Sequence, residues 1–266
     1  MPYIFSMFID SHAHITGEIF VDDLEEVLSR AEASGVLAIV NVCTDENSLN
    51  GGLSLSEKSS CVFNIAAATP HDVEREGEII FPLVEKEAEK GNLLAVGETG
   101  LDYYYNYSNP SIQKAFLRKH IHLAMRCSLP LVIHCRDAFK DLFEILDAEY
   151  SESNRYLPTL LHCFTGSIEE AREALDRGWY ISLSGIITFK KSFQLREAVK
   201  TLPLERILIE TDSPYLAPQS RRGKRNEPSY LPETAQVIAS IKGLSLEEVA
   251  RATRKNAMDF FSLPLL

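Results

Sequence analysis

No run of this chain approaches the ~18 consecutive apolar residues that a membrane-spanning helix needs. Its N-terminus, MPYIFSMFID, lacks a basic stretch followed by an apolar segment of signal-peptide length. Both absences point to a soluble, cytoplasmic protein with no membrane partner. A surplus of positive charge is also missing: 27 Lys and Arg stand against 38 Asp and Glu, a formal charge of −11. Global attraction therefore does not hold this chain to a polyanion, and any phosphate contact has to come from a local cationic cluster or from bound cations. The five cysteines include no CxxC pair, and most lie in or beside apolar runs. Buried thiols in a reducing compartment fit that usage better than a disulfide scaffold. There is no low-complexity tract, no repeat of solenoid period and no linker, so residues 1–266 read as one domain without an evident obligate protein partner.

What is present is an alternation of short apolar runs and amphipathic stretches. With 45% hydrophobic residues the chain can bury a large core, and its 266 residues are close to the roughly 250 of one α/β barrel. Strand-like runs fall near 8–14, 36–43, 62–69, 93–98, 130–135, 159–163, 180–185 and 206–212. They are apolar on both faces, as parallel strands covered by helices are. Between them, Leu24, Val27, Leu28 and Ala31 recur on one helix face, with Gly35 as a stop. Ser167–Glu170 and Ser245–Glu248 read as capping boxes that each open a helix. Eight such units predict a TIM-type (β/α)8 barrel, with some distortion allowed.

Six potential metal ligands sit at the ends of five of these runs: His12 and His14 in FIDSHAHI, Glu98 in LLAVGETGLD, His134 in PLVIHCRD, His162 in TLLHCFTG and Asp212 in ILIETDSPY. In a parallel barrel the C-terminal strand ends converge on one mouth, so residues from both ends of the chain can meet there. His12 and His14 are two apart on a strand and point to one side. A bare HxH is also found on surfaces and in cores; His120 and His122, in a helical run, diverge around the helix and read as structural. By strand alternation Cys135 and Cys163 face the helices and read as packing residues. Glu98 and Asp212 lie in apolar surroundings, where an ionised carboxylate has to be paired or metal-bound. Four histidines and two carboxylates suffice for two cations, with one carboxylate as a bridge. The residual positive charge of such a centre suits a phosphodiester.

The one dense basic cluster, Arg221, Arg222, Lys224 and Arg225, follows the Asp212 strand in the long connection 214–233. It reads either as a solvated charge run or as a phosphate contact. Arg136, two residues after His134, is a second phosphate clamp, or else an ion-pair partner of Asp137 or Asp141. Tyr103, Tyr104, Tyr105 and Tyr107 either stack nucleic-acid bases or pack their loop.

The segments DSHAHI, GETGLDYY, VIHCRDA, LHCFTG, ISLSGIITFK and ETDSPYLAP followed by RRGKRNEP together resemble the TatD-type metal-dependent deoxyribonucleases of the amidohydrolase superfamily. They span nearly the whole chain, and GExGLD, HCFxG and ETDxPYL are far more specific than HxH. The resemblance implies a TIM barrel, two divalent metal ions (Mg²⁺ or Mn²⁺, with Zn²⁺ an option the four imidazoles leave open) and hydrolysis of DNA phosphodiesters. It places His12, His14 and Asp212 on one metal, His134 and His162 on the other, and Glu98 between them. Asp212 is then also the proton acceptor, with Arg136 and the Arg221–Arg225 cluster on phosphates. Single-stranded DNA, digested from an end, is the expected substrate. One departure stands out: where relatives carry His-Pro-His after the third strand, this chain has Thr69-Pro70-His71, which leaves His71 as a phosphate contact or a turn residue. Competing readings are a hydrolase of small esters, amides or lactones, a deacylase of RNA-linked esters, and a non-catalytic binding protein. Dinuclear relatives of the first kind bridge their metals with a lysine where this chain has Glu98, and the third has usually lost ligands that are all present here.

Overall fold

The computed structural model describes residues 8–105, 107–154 and 156–264. Eight parallel strands pair in sequence order in one sheet: β1 (Phe8–Ala13), β2 (Val36–Cys43), β3 (Val62–Ala66), β4 (Val96–Asp102), β5 (Leu131–Arg136), β6 (Thr159–Leu161), β7 (Tyr180–Leu183) and β8 (Ile207–Ile209). The sheet curls into a nearly closed TIM-type barrel. Its seam is made just past β8, where the Asp212 N–H donates to His12 O (2.9 Å) and the His14 N–H to Ser213 O (2.7 Å). At the same seam the Asp10 side chain accepts the Thr211 N–H (2.9 Å) and hydroxyl (2.6 Å), a side-chain substitute for a missing rung of the ladder.

Helices α1 (Leu24–Ala33), α2 (Glu46–Lys58), α3 (Val73–Glu89), α4 (Pro110–Cys127), α5 (Phe139–Ser153), α6 (Ile168–Asp176), α7 (Phe193–Thr201), α8 (Leu231–Lys242) and α9 (Leu246–Phe261) form the outer ring. Both expected capping boxes are present, at the starts of α6 and α9. Among the described residues no helix is long and apolar enough to cross a membrane. Apolar side chains divide into two layers. One fills the space between strands and helices. The other holds inward-facing Ile9, Val40, Ile65, Val132, Leu160 and Leu208 and is closed by Phe260, Phe261 and Leu263 at the end of α9. Each fully buried Phe there contributes roughly 1.5–3 kcal/mol of burial energy. Residues of the same strand parity as this plug, His134 above Val132 and His162 above Leu160, therefore stand on a dry apolar floor.

β4 departs most from its expected place: it spans Val96–Asp102 rather than 93–98. Gly97 and Gly100 both lie inside the strand. A Cβ on Gly97 would sit 2.6 Å from Val132, and one on Gly100, whose φ is +145°, would sit 1.9 Å from His134 O. These are positions where the backbone of β5 approaches too closely for any side chain. By contrast β6 and β8 stop early, and His162 and Asp212 lie just beyond them, where the chain peels off the barrel rim.

Candidate metal centre

Between Val96 and Thr99 the pairing of β4 with β5 slips by one residue, a bulge that contains Glu98. Bulges re-aim a side chain, and this one turns Glu98 inward, 5% exposed, to the middle of the histidines. Its Oε2 lies 3.3 Å from His12 Nε2 and 3.6 Å from His14 Nε2. Asp212 Oδ1 closes that side, 3.7 and 3.6 Å from the same two nitrogens. The other Glu98 oxygen, Oε1, lies 3.2 Å from both His134 Nδ1 and His162 Nε2. The two donor sets are joined by the His12 and His162 rings, stacked 3.9 Å apart. All six expected ligands therefore converge, and one carboxylate faces both sets. Asp212 holds its place in a left-handed conformation (φ +58°), which Asp tolerates better than most side chains.

Imidazoles and carboxylates shift one another's ionisation across the site. Burial favours protonation of Glu98, but His162, His12 and His134 outweigh it and hold the carboxyl well below its usual range. Burial likewise opposes charge on His162, and Glu98 and Glu210 reverse the balance, raising its pKa well above the ordinary value. Both ring nitrogens of His12 and of His162 are buried without a hydrogen-bond partner among the described residues. Orphaned imidazole nitrogens are costly in a dry interior, and a divalent cation accepting nitrogen and oxygen donors would satisfy the Nε2 of each ring, which faces Glu98. The donor set thus fits a metal centre.

Three acids behind these groups, Asp102, Glu210 and Asp10, lie inside the GETGLD, ETDSPYL and DSHAHI segments but are not among the expected site residues. Asp102, 1% exposed, accepts from His134 Nε2 (2.9 Å) and His71 Nε2 (2.8 Å) on one oxygen. Its other oxygen accepts the N–H groups of Tyr104 (2.9 Å) and Tyr105 (2.8 Å). Burial opposes its ionisation, but His134, His71 and the Tyr105 amide overcome that and hold it far below the carboxylate range. Glu210 stands behind His162, Oε1 to Nδ1 3.4 Å, and is held by the Ser182 hydroxyl. Asp10, at the seam, is pushed up to about 7 by burial despite its bonds to Thr211 and His12. Asp102 and Glu210 face imidazole nitrogens, as carboxylates that orient metal-ligating histidines from behind do, whereas Asp10 holds the His12 backbone N–H.

The other expected residues separate. His71 joins the centre through Asp102 rather than ending as a mere turn residue. Thr69, in place of the first histidine, turns its hydroxyl onto Asp72 at the start of α3. Arg136 lies over the Tyr104 ring, 3.8 Å from its centroid, while Asp141 pairs with Lys114 and Tyr103 instead. Arg225, expected on phosphate, binds both Asp23 oxygens and Ile19 O and so latches the loop to the segment before α1. Arg30 and Glu227 make a second latch beside it. Asn226 between them donates to Thr211 O (2.8 Å) and Tyr215 O (2.6 Å), pinning both ends of the Asp212 turn. Arg221 pairs with Glu233 at 3.6 Å, and Arg222 covers Phe189. Lys224 is exposed and makes no ion pair among the described residues. His120 is buried and His122 binds Glu149, as structural histidines. Cys135 packs in the outer layer as expected, but Cys163 does not follow strand alternation. Its φ of +46° turns the thiol to Ser184 Oγ (3.2 Å), where burial, then Asp212 and Glu210, raise its pKa well above normal.

A parallel barrel that gathers four imidazoles around a shared carboxylate at its mouth is a scaffold for a metal centre. Residues 9–262 match the TatD related DNase family. The chain belongs to that family. It is 38% identical over 257 residues to the uncharacterized metal-dependent hydrolase YabD of Bacillus subtilis, covering 97% of this chain and all of that protein. It is 34% identical over 266 residues to the 3′-5′ ssDNA/RNA exonuclease TatD of Citrobacter rodentium, with 96% and 98% of the two chains aligned. The crystal structure of YjjV, a TatD homolog from Escherichia coli K12, superposes with a TM-score of 0.90 at 26% identity, covering 98% of this chain and 100% of that one.

Proposed function

We propose that this chain is a metal-dependent deoxyribonuclease that hydrolyses phosphodiester bonds of single-stranded DNA from an end, with two divalent ions, Mg²⁺ or Mn²⁺, at the barrel mouth. The observation that carries the proposal is Glu98, whose two oxygens each face a separate histidine pair. The name of the Citrobacter relative supports the substrate class. His12, His14 and Asp212 would hold one ion, His134 and His162 the other, and Glu98 both. When bound, such ions lower the pKa of water and neutralise charge that develops on phosphoryl oxygens. The chain's own groups do the rest. Asp212, in contact with both His12 and His14, takes the proton of the attacking water on its carboxylate. Asp102 and Glu210 keep His134 and His162 turned toward Glu98. Arg136 and the exposed Lys224, with Arg221 and Arg222, hold phosphates on either side of the centre. A carboxylate rather than a lysine at the bridging position favours this reading over hydrolysis of a small amide or lactone.

Cleavage of a 5′-labelled single-stranded oligomer tests it, with Mg²⁺, Mn²⁺ or Zn²⁺, with EDTA, and with an RNA oligomer in parallel. A ladder that requires metal and disappears in Asp212→Ala and Glu98→Ala is expected. An intact oligomer under every metal, or Glu98→Ala cutting at the wild-type rate, refutes the assignment.

A further inference from the structure

The loop after β4 displays three tyrosine rings that contribute nothing to the core. Tyr104, Tyr105 and Tyr107 are 55%, 42% and 67% exposed. The loop is braced at both ends. Asp102 holds the amides of Tyr104 and Tyr105, the Ser108 hydroxyl donates to His71 O (2.8 Å), and Gln113 bonds both Asp102 and Ser108. The rings of Tyr105 and Tyr107 lie nearly parallel, 5.2 Å apart and inclined by 13°. Both stand edge-on to His71, at 5.5 and 5.6 Å, and His71 is 5.0 Å from His134. Beside them the Arg136 guanidinium covers Tyr104 at 3.8 Å and lies 5.0 Å from the Tyr105 ring, with no carboxylate in ion-pair range among the described residues. In a chain of net charge −11, an arginine left without a carboxylate next to the candidate centre is a place for an external anion.

We propose that Tyr104, Tyr105, Tyr107 and Arg136 form a nucleobase subsite. An unpaired base of the nucleotide adjoining the scissile bond stacks on the tyrosine faces while Arg136 holds its phosphate. This rests on the phosphodiesterase reading above and adds what selects the substrate. Tyrosine faces stack on any base without regard to sequence. The rings flank one side of the mouth through His71, so a base reaches them only when freed from its partner strand. Single-strand preference then follows from the subsite rather than from the metal chemistry.

The test compares binding of a short single-stranded DNA oligomer with that of an oligomer of equal charge in which every base is replaced by an abasic residue. Binding is read by fluorescence anisotropy in EDTA, where nothing is cut. Wild-type protein should favour the base-bearing oligomer by roughly 5- to 150-fold per stacked base. Tyr105→Ala/Tyr107→Ala should bind both oligomers alike, and Tyr105→Phe/Tyr107→Phe, which keeps the ring faces, should retain the preference. Equal binding of the two oligomers by wild type, or an undiminished preference in the double Ala variant, overturns the proposal. Loss of preference in the Phe variant overturns it as well, since hydroxyls and not faces would then make the contact. The two readings fail separately. Metal-dependent cleavage without base preference removes the subsite alone, and base preference without cleavage under any metal removes the nuclease reading alone.

Discussion

Replacing Asp102 by Asn preserves the size of the side chain and reverses the sense of its hydrogen bonds to two imidazoles. In the native protein one oxygen accepts from His134 Nε2 (2.9 Å) and His71 Nε2 (2.8 Å), and the other accepts two loop amides. The Asn amide oxygen can keep the loop amides, so the segment after β4 stays anchored. Its NH₂ group then faces nitrogens that formerly donated. His134 has to accept at Nε2, and its proton passes to Nδ1, the atom 3.2 Å from Glu98 Oε1 that a cation in the second donor set would need. Loss of a carboxylate behind a metal-ligating histidine typically costs ~10–100-fold in metal affinity, which is about 1.4–2.8 kcal/mol. Calorimetric titration of Mn²⁺ into metal-free Asp102→Asn should show a loss of that size with an almost unchanged melting temperature. Imidazole ¹⁵N shifts should show the proton of His134 exchanged between its two nitrogens. Wild-type Mn²⁺ affinity, in a variant whose His134 still carries its proton on Nε2, refutes the reasoning. Asp102→Ala is the poorer probe, because it also unties the loop.

Two further outcomes concern stability. His120 is held neutral by burial, its pKa lowered from 6.5 to about 4, with its Nδ1–H on Phe116 O (2.8 Å) and its Nε2 accepting the Ala68 N–H (3.3 Å). Between those two values the unfolded chain takes up a proton that the folded one refuses, so stability falls as pH drops through the window, by up to ~3 kcal/mol below it. Urea midpoints at pH 7 and pH 5 should differ less in His120→Gln than in wild type; equal differences would show that His120 titrates normally. Asn226→Ala strips the buried carbonyl of Thr211 and the part-buried one of Tyr215 of a donor each and should destabilise the protein by about 1–3 kcal/mol, mostly through the buried Thr211 carbonyl left unpaired. A melting temperature equal to that of wild type would remove Asn226 from its place as the brace of the Asp212 turn.

What the sequence makes legible is whatever depends on periodicity and on donor type. Parallel apolar runs gave the barrel, and the position of His12, His14, His134 and His162 at their ends gave the mouth, because alternation on a strand decides which way each side chain points. Serine followed by glutamate three residues on marked the starts of α6 and α9 for a purely local reason. Reading failed where the decisive contact lies elsewhere in the chain. The strand expected at 93–98 runs on to Asp102, because Gly97 and Gly100 let the neighbouring backbone of β5 approach, and the bulge between Val96 and Thr99 brings Glu98 inward. Cys163 was assigned to the outer face by an alternation that its positive φ interrupts. Asp102 and Glu210 sit inside the GETGLD and ETDSPYL segments, but their role exists only relative to His134 and His162 on other strands, which no local pattern shows. The basic stretch shows the same limit most plainly. Arg225 and Lys224 are neighbours of like charge, and nothing local distinguishes them. Asp23, 202 residues away along the chain, neutralises Arg225 and leaves Lys224 open to solvent. Charge pattern finds where cations are, but only the fold shows which of them are already matched. For a protein of net charge −11, the proposed phosphate contacts depend on that difference, because Arg136 and Lys224, which have no carboxylate in ion-pair range among the described residues, are open to an external anion.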